Sequence, residues 1–165
     1  LIVLGIDPGS LRTGYGAIET DGRRHRLLER GVLAPPRRLE LPSRLRFIHE
    51  ALTALIGRLQ PDVLAVEDVF HSVNSRSALV LGHVRGVILL AGASASLQVR
   101  AHAPASVKLQ VTGFGGAEKS QVAMMVARQL GLTHEDPAGD ATDALAVAIC
   151  DAHLFANPLT RRLVR

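Results

Sequence analysis

Leu1-Ile2-Val3-Leu4-Gly5-Ile6-Asp7-Pro8-Gly9 opens the chain with an unbroken apolar run, one acid and a turn. A run without polar alternation suits a strand covered on both faces, and Pro8-Gly9 ends it. Thr13 to Thr20 and Arg26 to Leu33 read as two further strands separated by the turn Asp21-Gly22. Three successive strands predict an antiparallel meander. Beyond Pro42 the period changes: Leu45, Ile48, Leu52, Leu55, Ile56 and Leu59 share one helical face, and Pro61 stops it. Val63 to Val66 is a second buried strand, also running into an acid, Glu67. A meander followed by alternating helix and strand predicts an α/β fold with a mixed sheet flanked by helices.

The rest of the chain fits this plan. Ser77 to Leu97 is apolar nearly all round and reads as a buried helix that also packs against something outside its own domain. Val99 to Ala101 is a short strand. Ala117 to Leu130 is a helix closed by Gly131, and Asp140 to Phe155 is the last helix. With 165 residues, 47% hydrophobic and 21% charged, the chain has material for one core and no disordered composition. Residues 1–156 are expected to form the domain, and 157–165 a basic tail carrying Arg161, Arg162 and Arg165. The longest uncharged stretch, Gly86 to Val99, falls short of the ~20 residues of a membrane span. The single cysteine, Cys150, forms no internal disulfide, which fits a reducing, cytoplasmic setting.

Four acids stand where acids are costly. Asp7 and Glu67 each end an apolar strand, while Asp140 and Asp143 open an apolar helix three residues apart, on one face. The carboxyl ends of central strands form the crevice where α/β proteins bind ligands. Carboxylates converging there repel one another unless cations hold them, and oxygen-ligated Mg²⁺ or Mn²⁺ suits such a set. Two ions about 3.5–4 Å apart would activate water against a phosphodiester. Taken singly, each acid has a plainer role as turn former, helix cap or solvated strand end. The set of four favours metal.

Two glycine-rich loops invite other readings. Asp7-Pro8-Gly9-Ser10 with Gly14 and Gly16 has the look of a phosphate loop of the actin and sugar-kinase type, but those proteins need two domains. Gly113-Phe114-Gly115-Gly116-Ala117-Glu118-Lys119-Ser120 nearly matches a Walker A loop, with Glu118 where glycine is required. A carboxylate there would face the phosphates, so the P-loop is rejected.

The cations support a polyanion partner. Of 19, only Lys108 and Lys119 are lysine, which marks them as positions where a compact ammonium is needed. The net charge is +4 and the isoelectric point near 10.2. With the four acids neutralised by metal, 19 cations face 11 acids, leaving +8, as a phosphate-backbone binder needs.

Leu4-Gly5-Ile6-Asp7-Pro8-Gly9-Ser10 with Thr13-Gly14-Tyr15-Gly16 closely resembles the opening of the RuvC-type Holliday-junction resolvases. The likeness continues through Leu41-Pro42-Ser43-Arg44-Leu45, Ala65-Val66-Glu67-Asp68-Val69-Phe70, Leu81-Gly82 with Arg85-Gly86, and Val107-Lys108. It ends with Gly115, Ala117-Glu118-Lys119-Ser120-Gln121-Val122 and Asp140-Ala141-Thr142-Asp143-Ala144-Leu145-Ala146. The resemblance implies an RNase H-like fold with a mixed five-stranded sheet, a homodimer, and Mg²⁺-dependent nicking of opposed strands at a four-way junction. It implies two Mg²⁺ per site with Mn²⁺ as substitute, and a branch-migration complex of RuvA- and RuvB-type proteins as partner. It maps the catalytic and metal-binding carboxylates onto Asp7, Glu67, Asp140 and Asp143, with Lys108 and Lys119 near the scissile phosphate. Phe70 is expected to stack on unpaired bases, and Arg76 and Arg85 complete the expected DNA-binding set. His102 stands where the family often has Tyr, and His83 where it often has Gln. The position of Asp140 is the acid most open to replacement.

Two rival readings remain. A ribosomal-RNA-processing nuclease of the same fold shares the Asp-x-Gly opening but usually lacks the long central helix. A catalytically silent junction-binding module would bind DNA more easily without four negative charges in its groove.

Overall fold

The computed structural model describes residues 1–68, 75–132 and 139–156, with side chains to 154. Strands β1 (Ile2–Asp7), β2 (Thr13–Thr20) and β3 (His25–Leu33) form the expected meander. Strands β4 (Val63–Glu67) and β5 (Gln98–His102) add in parallel beyond β1, giving the order β3-β2-β1-β4-β5. Helix α1 (Leu41–Leu59) links β3 to β4, and α2 (Ser75–Ser94) lies between β4 and β5 in sequence. Helices α3 (Pro104–Thr112), α4 (Lys119–Leu130) and α5 (Asp140–Ala156) follow β5. The basic tail, 157–165, lies outside the described residues.

Strand alternation sends successive residues of β1 to opposite faces, and each face has its own core. Leu4 and Ile6 pack with Ile48, Leu52, Leu64, Val66, Val84 and Ile88 beneath α1 and α2. Val3 and Ala65 pack with Val107, Val122, Leu145 and Ile149 beneath α3, α4 and α5. Asp7 and Glu67 share the phase of Val3 and Ala65, so both point to the α5 face.

Helix α5 lies directly on the sheet because glycine lets it. A Cβ built on Gly5 would stand 2.2 Å from the Ala144 carbonyl oxygen, and one on Gly14 would stand 1.9 Å from that of Asp140. No side chain fits at either position. The start of α5 is thereby brought against the end of β1.

Two expectations change. Helix α2 is not a buried helix: its buried residues are Val84, Ile88, Ala91 and Gly92, while Leu79 and Leu90 are 64% and 58% exposed. By length and composition alone it would qualify as a membrane crossing, which the uncharged-stretch argument did not allow for. Apolarity on every side reports that a helix can be covered, not which element covers it. Helix α3 has no counterpart in the sequence reading. It is short, and Pro104 reads as a strand terminator although proline also suits a first helical turn.

Candidate active site

Register brings the first two acids together. Ile6 pairs with Val66, so Asp7 and Glu67 follow side by side at the carboxyl ends of adjacent parallel strands. Helix α5 supplies Asp143 from its first turn, and α3 and α4 supply Lys108 and Lys119. Asp7, Glu67, Asp143, Lys108 and Lys119 line one cleft of about 280 Å³, floored by Pro104, Val107, Val122 and Ala146.

The cleft is electrostatically strained toward negative charge. Burial, then Glu67, Asp143 and Asp140, push the Asp7 carboxyl up to about 7, with Lys119 opposing. Burial and Asp143 raise Glu67, opposed by its hydrogen bond with Asp7 and by Lys119 and Lys108. Lys119 Nζ donates to Asp143 Oδ2 at 3.0 Å, a bond that raises the lysine and keeps it charged. An all-oxygen set whose members raise one another's protonation is what a hard divalent cation stabilises. The residues therefore fit such an ion, with Asp7 and Glu67 central and Asp143 beside them.

Asp140 stands apart. It does not line the cleft, although its charge reaches Asp7. Its Oδ2 instead accepts a hydrogen bond from Arg12 Nε at 2.5 Å. Among the described residues, no three His, Cys, Asp or Glu side chains already stand at ligand spacing. Three of the four expected acids converge, and the fourth is bonded to an arginine outside the cleft lining.

The expected lysines sit in the cleft. Glu118, the residue that spoils the P-loop pattern, is the N-cap of α4, and Gln121 Oε1 accepts its backbone N–H at 2.9 Å, half of a capping box. The loop is a helix start. Phe70 lies outside the described residues. Arg76 is exposed in the first turn of α2. Arg85 Nη2 lies 2.9 Å from Asp68 Oδ1, tying α2 to the end of β4 beside Glu67.

Sequence reasoning passed over two features. Arg12 was not singled out; its signal is a cation in the tight turn between the Asp7 loop and β2. Asp151 is fully buried, accepting from Arg100 Nη1 at 2.9 Å and His102 Nε2 at 2.8 Å. His102 also pairs with Glu67 across β4 and β5. The triad ties the edge strand to α5, and its signal is a lone acid deep in an apolar helix. A buried charge of this kind survives only because both oxygens are bonded.

A mixed five-stranded sheet with strand-end and helix-borne carboxylates defines the class: an RNase H-like nuclease fold. Comparison with known proteins narrows it. The family model "Crossover junction endodeoxyribonuclease RuvC" matches residues 3–151, and the chain belongs to that family. A protein of that name from Acidobacterium capsulatum is 48% identical over 158 residues, covering 92% of each chain. One from Desulforamulus reducens is 46% identical over 152 residues, covering 92% of this chain and 93% of its own. The solved structure of Thermus thermophilus RuvC in complex with Holliday junction substrate superposes with a TM-score of 0.90 at 32% identity, covering 97% of each chain. Membership in this nuclease family carries a dependence on divalent metal.

Proposed function

We propose that this protein resolves four-way DNA junctions by nicking two opposed strands, leaving 5′-phosphate and 3′-hydroxyl ends, in recombination and repair. The observation that carries the reading is the convergence of Asp7, Glu67 and Asp143 with Lys108 and Lys119 on one cleft. Bound divalent cations, read as two Mg²⁺ per site with Mn²⁺ as a substitute, supply activated water and neutralise charge at the phosphate. Asp7, which lines the cleft, would take part in holding the cations. Glu67 and Asp143 would hold them with it, and Asp140 would join the set once its side chain turned from Arg12. Lys108 and Lys119, which line the same cleft, would offset the negative charge that accumulates on the phosphate in the transition state. Phe70 is proposed to stack on an unpaired base, and Arg76 and Arg85 to lie along the DNA path.

Paired nicks need paired sites, and α2 offers the surface. Leu45, Ala78, Leu79, Gly82, His83, Gly86, Val87 and Leu90 line an open apolar groove. Its occupant is read as a second copy of this chain across a two-fold axis. Proteins of the RuvA and RuvB type are the proposed branch-migration partners, and the cytoplasm the proposed compartment.

A synthetic four-way junction and a linear duplex, each incubated with Mg²⁺ and with EDTA, test the reading. Symmetric nicks on the junction alone, and in Mg²⁺ alone, are expected. Equal cutting of both DNAs, or cutting in EDTA, overturns it.

A further inference from the structure

Arg12 stands in a turn built to hold its place. Thr13 Oγ1 donates to the Gly9 carbonyl oxygen at 2.7 Å, closing the turn from Gly9 to Thr13. A Cβ on Gly9 would lie 2.1 Å from the Arg12 carbonyl oxygen, so the turn has no slack there. On the other side, Gly14 admits the backbone of Asp140 to within contact of β2. Both partners of the ion pair are therefore fixed at the backbone, and only their side chains can move.

The Arg12 side chain is 61% exposed and that of Asp140 33%, so the pair is open to solvent outside the cleft lining, while the charge of Asp140 still reaches Asp7. Both facts matter. The same carboxylate cannot serve a guanidinium and a divalent cation equally well, because the ion is the more compact, doubly charged partner. An arginine released from Asp140 is exposed to solvent, and its planar fork suits the phosphate oxygens of DNA bound over the cleft.

We propose that Arg12 is a metal-dependent phosphate contact: it neutralises Asp140 until a divalent cation claims that carboxylate, and then turns to the DNA backbone. This rests on the junction-cleaving reading above. It assigns Arg12 a role in positioning substrate and in ordering the two binding events. Metal loading removes the competitor for the guanidinium, and DNA then takes it up.

Two measurements on the full chain test it, with R12Q and R12K beside the unaltered protein. In the first, Mn²⁺ alone is titrated by calorimetry. Removing a competing cation should tighten Mn²⁺ binding by roughly two- to fivefold, the scale of one exposed ion pair. In the second, junction binding is followed against salt concentration in Ca²⁺ and in EDTA, with strand integrity checked on denaturing gels. In Ca²⁺ the salt dependence of the unaltered protein should be steeper than that of R12Q by about 0.9, one phosphate's worth. In EDTA the two should coincide, and R12K should restore the slope in Ca²⁺. Equal or weaker Mn²⁺ binding by R12Q overturns the proposal, as does a slope difference that is absent in Ca²⁺ or the same in both conditions. Matching melting curves confirm that the variants are folded. Failure of the unaltered protein to nick junctions would sink the functional reading, while the Mn²⁺ comparison would stand by itself.

Discussion

Helices α2 and α5 are both long and apolar, yet the protein uses them in opposite ways. Ala144 to Cys150 of α5 are all at most 1% exposed, whereas α2 buries a narrow strip and turns leucines outward. The difference lies in side-chain size and in what the sheet offers. Helix α5 presents Ala144 and Ala148 to Gly5 and the backbone of Asp140 to Gly14, so it lies directly on β1 and β2. Helix α2 carries Leu79, Val87 and Leu90 along a groove. Close approach positions chemistry; the looser face of α2 stays open.

The largest test of this contrast falls on the chemistry that α5 and β1 create together. Asp7→Asn should abolish junction nicking in Mg²⁺ and leave junction binding intact or tighter, since it removes negative charge from a phosphate-facing cleft. Gel-shift and nicking assays on one preparation check both halves.

Next comes the seat of α5. Gly5→Val should cost at least about 1–3 kcal/mol, because the new side chain meets backbone and cannot be absorbed by a rotamer change. Denaturant unfolding measures the loss, and activity should fall with it. On α2 the same kind of insult should leave the fold alone. Leu79→Arg should change stability within about 0.5 kcal/mol, as exposed positions do. Sedimentation should show dimers becoming monomers, and junction affinity should fall at least tenfold, roughly, as two linked sites become one. A wild-type monomer at micromolar concentration would remove the dimer from the comparison.

The smallest effect concerns how α5 is fastened at its far end. His153 Nδ1–H donates to the Gln110 carbonyl at 3.0 Å, so its Nε2 accepts from His25 Nε2 at 3.1 Å, and His25 Nδ1 accepts from Thr20 Oγ1 at 2.8 Å. Burial and His153 lower His25 below its ordinary 6.5. The unfolded chain therefore takes up a proton before the folded one does. Stability is full above about 6.5 and declines as pH falls from there toward the lowered folded value. Melting temperature should drop between pH 7 and 5, and less steeply in His25→Asn.

Much of this was legible in the chain. Asp7, Glu67 and Asp143 betray themselves as acids at the ends of apolar runs, where burial makes an unpaired charge expensive. Strand order for the meander follows from its short turns. Asp140 was legible as one of the set, but not its place outside the cleft lining, because the partner that holds it, Arg12, is 128 residues away. Asp151 escaped for the same reason: its partners Arg100 and His102 come from β5, about fifty residues earlier. Helix α3 escaped because nine residues give too little period to read.

The sequence by itself determined the five strands, the helices other than α3, and the strand-end and helix-start acids that must be neutralised. These follow from local periodicity and the cost of burying charge. Tertiary structure alone decided that β1 and β4 are neighbours in a register placing Asp7 beside Glu67. It decided as well that α5 lies buried on glycine while α2 stays open. Those outcomes depend on which surfaces meet across the sheet, and contacts between distant segments leave no period in the chain that forms them.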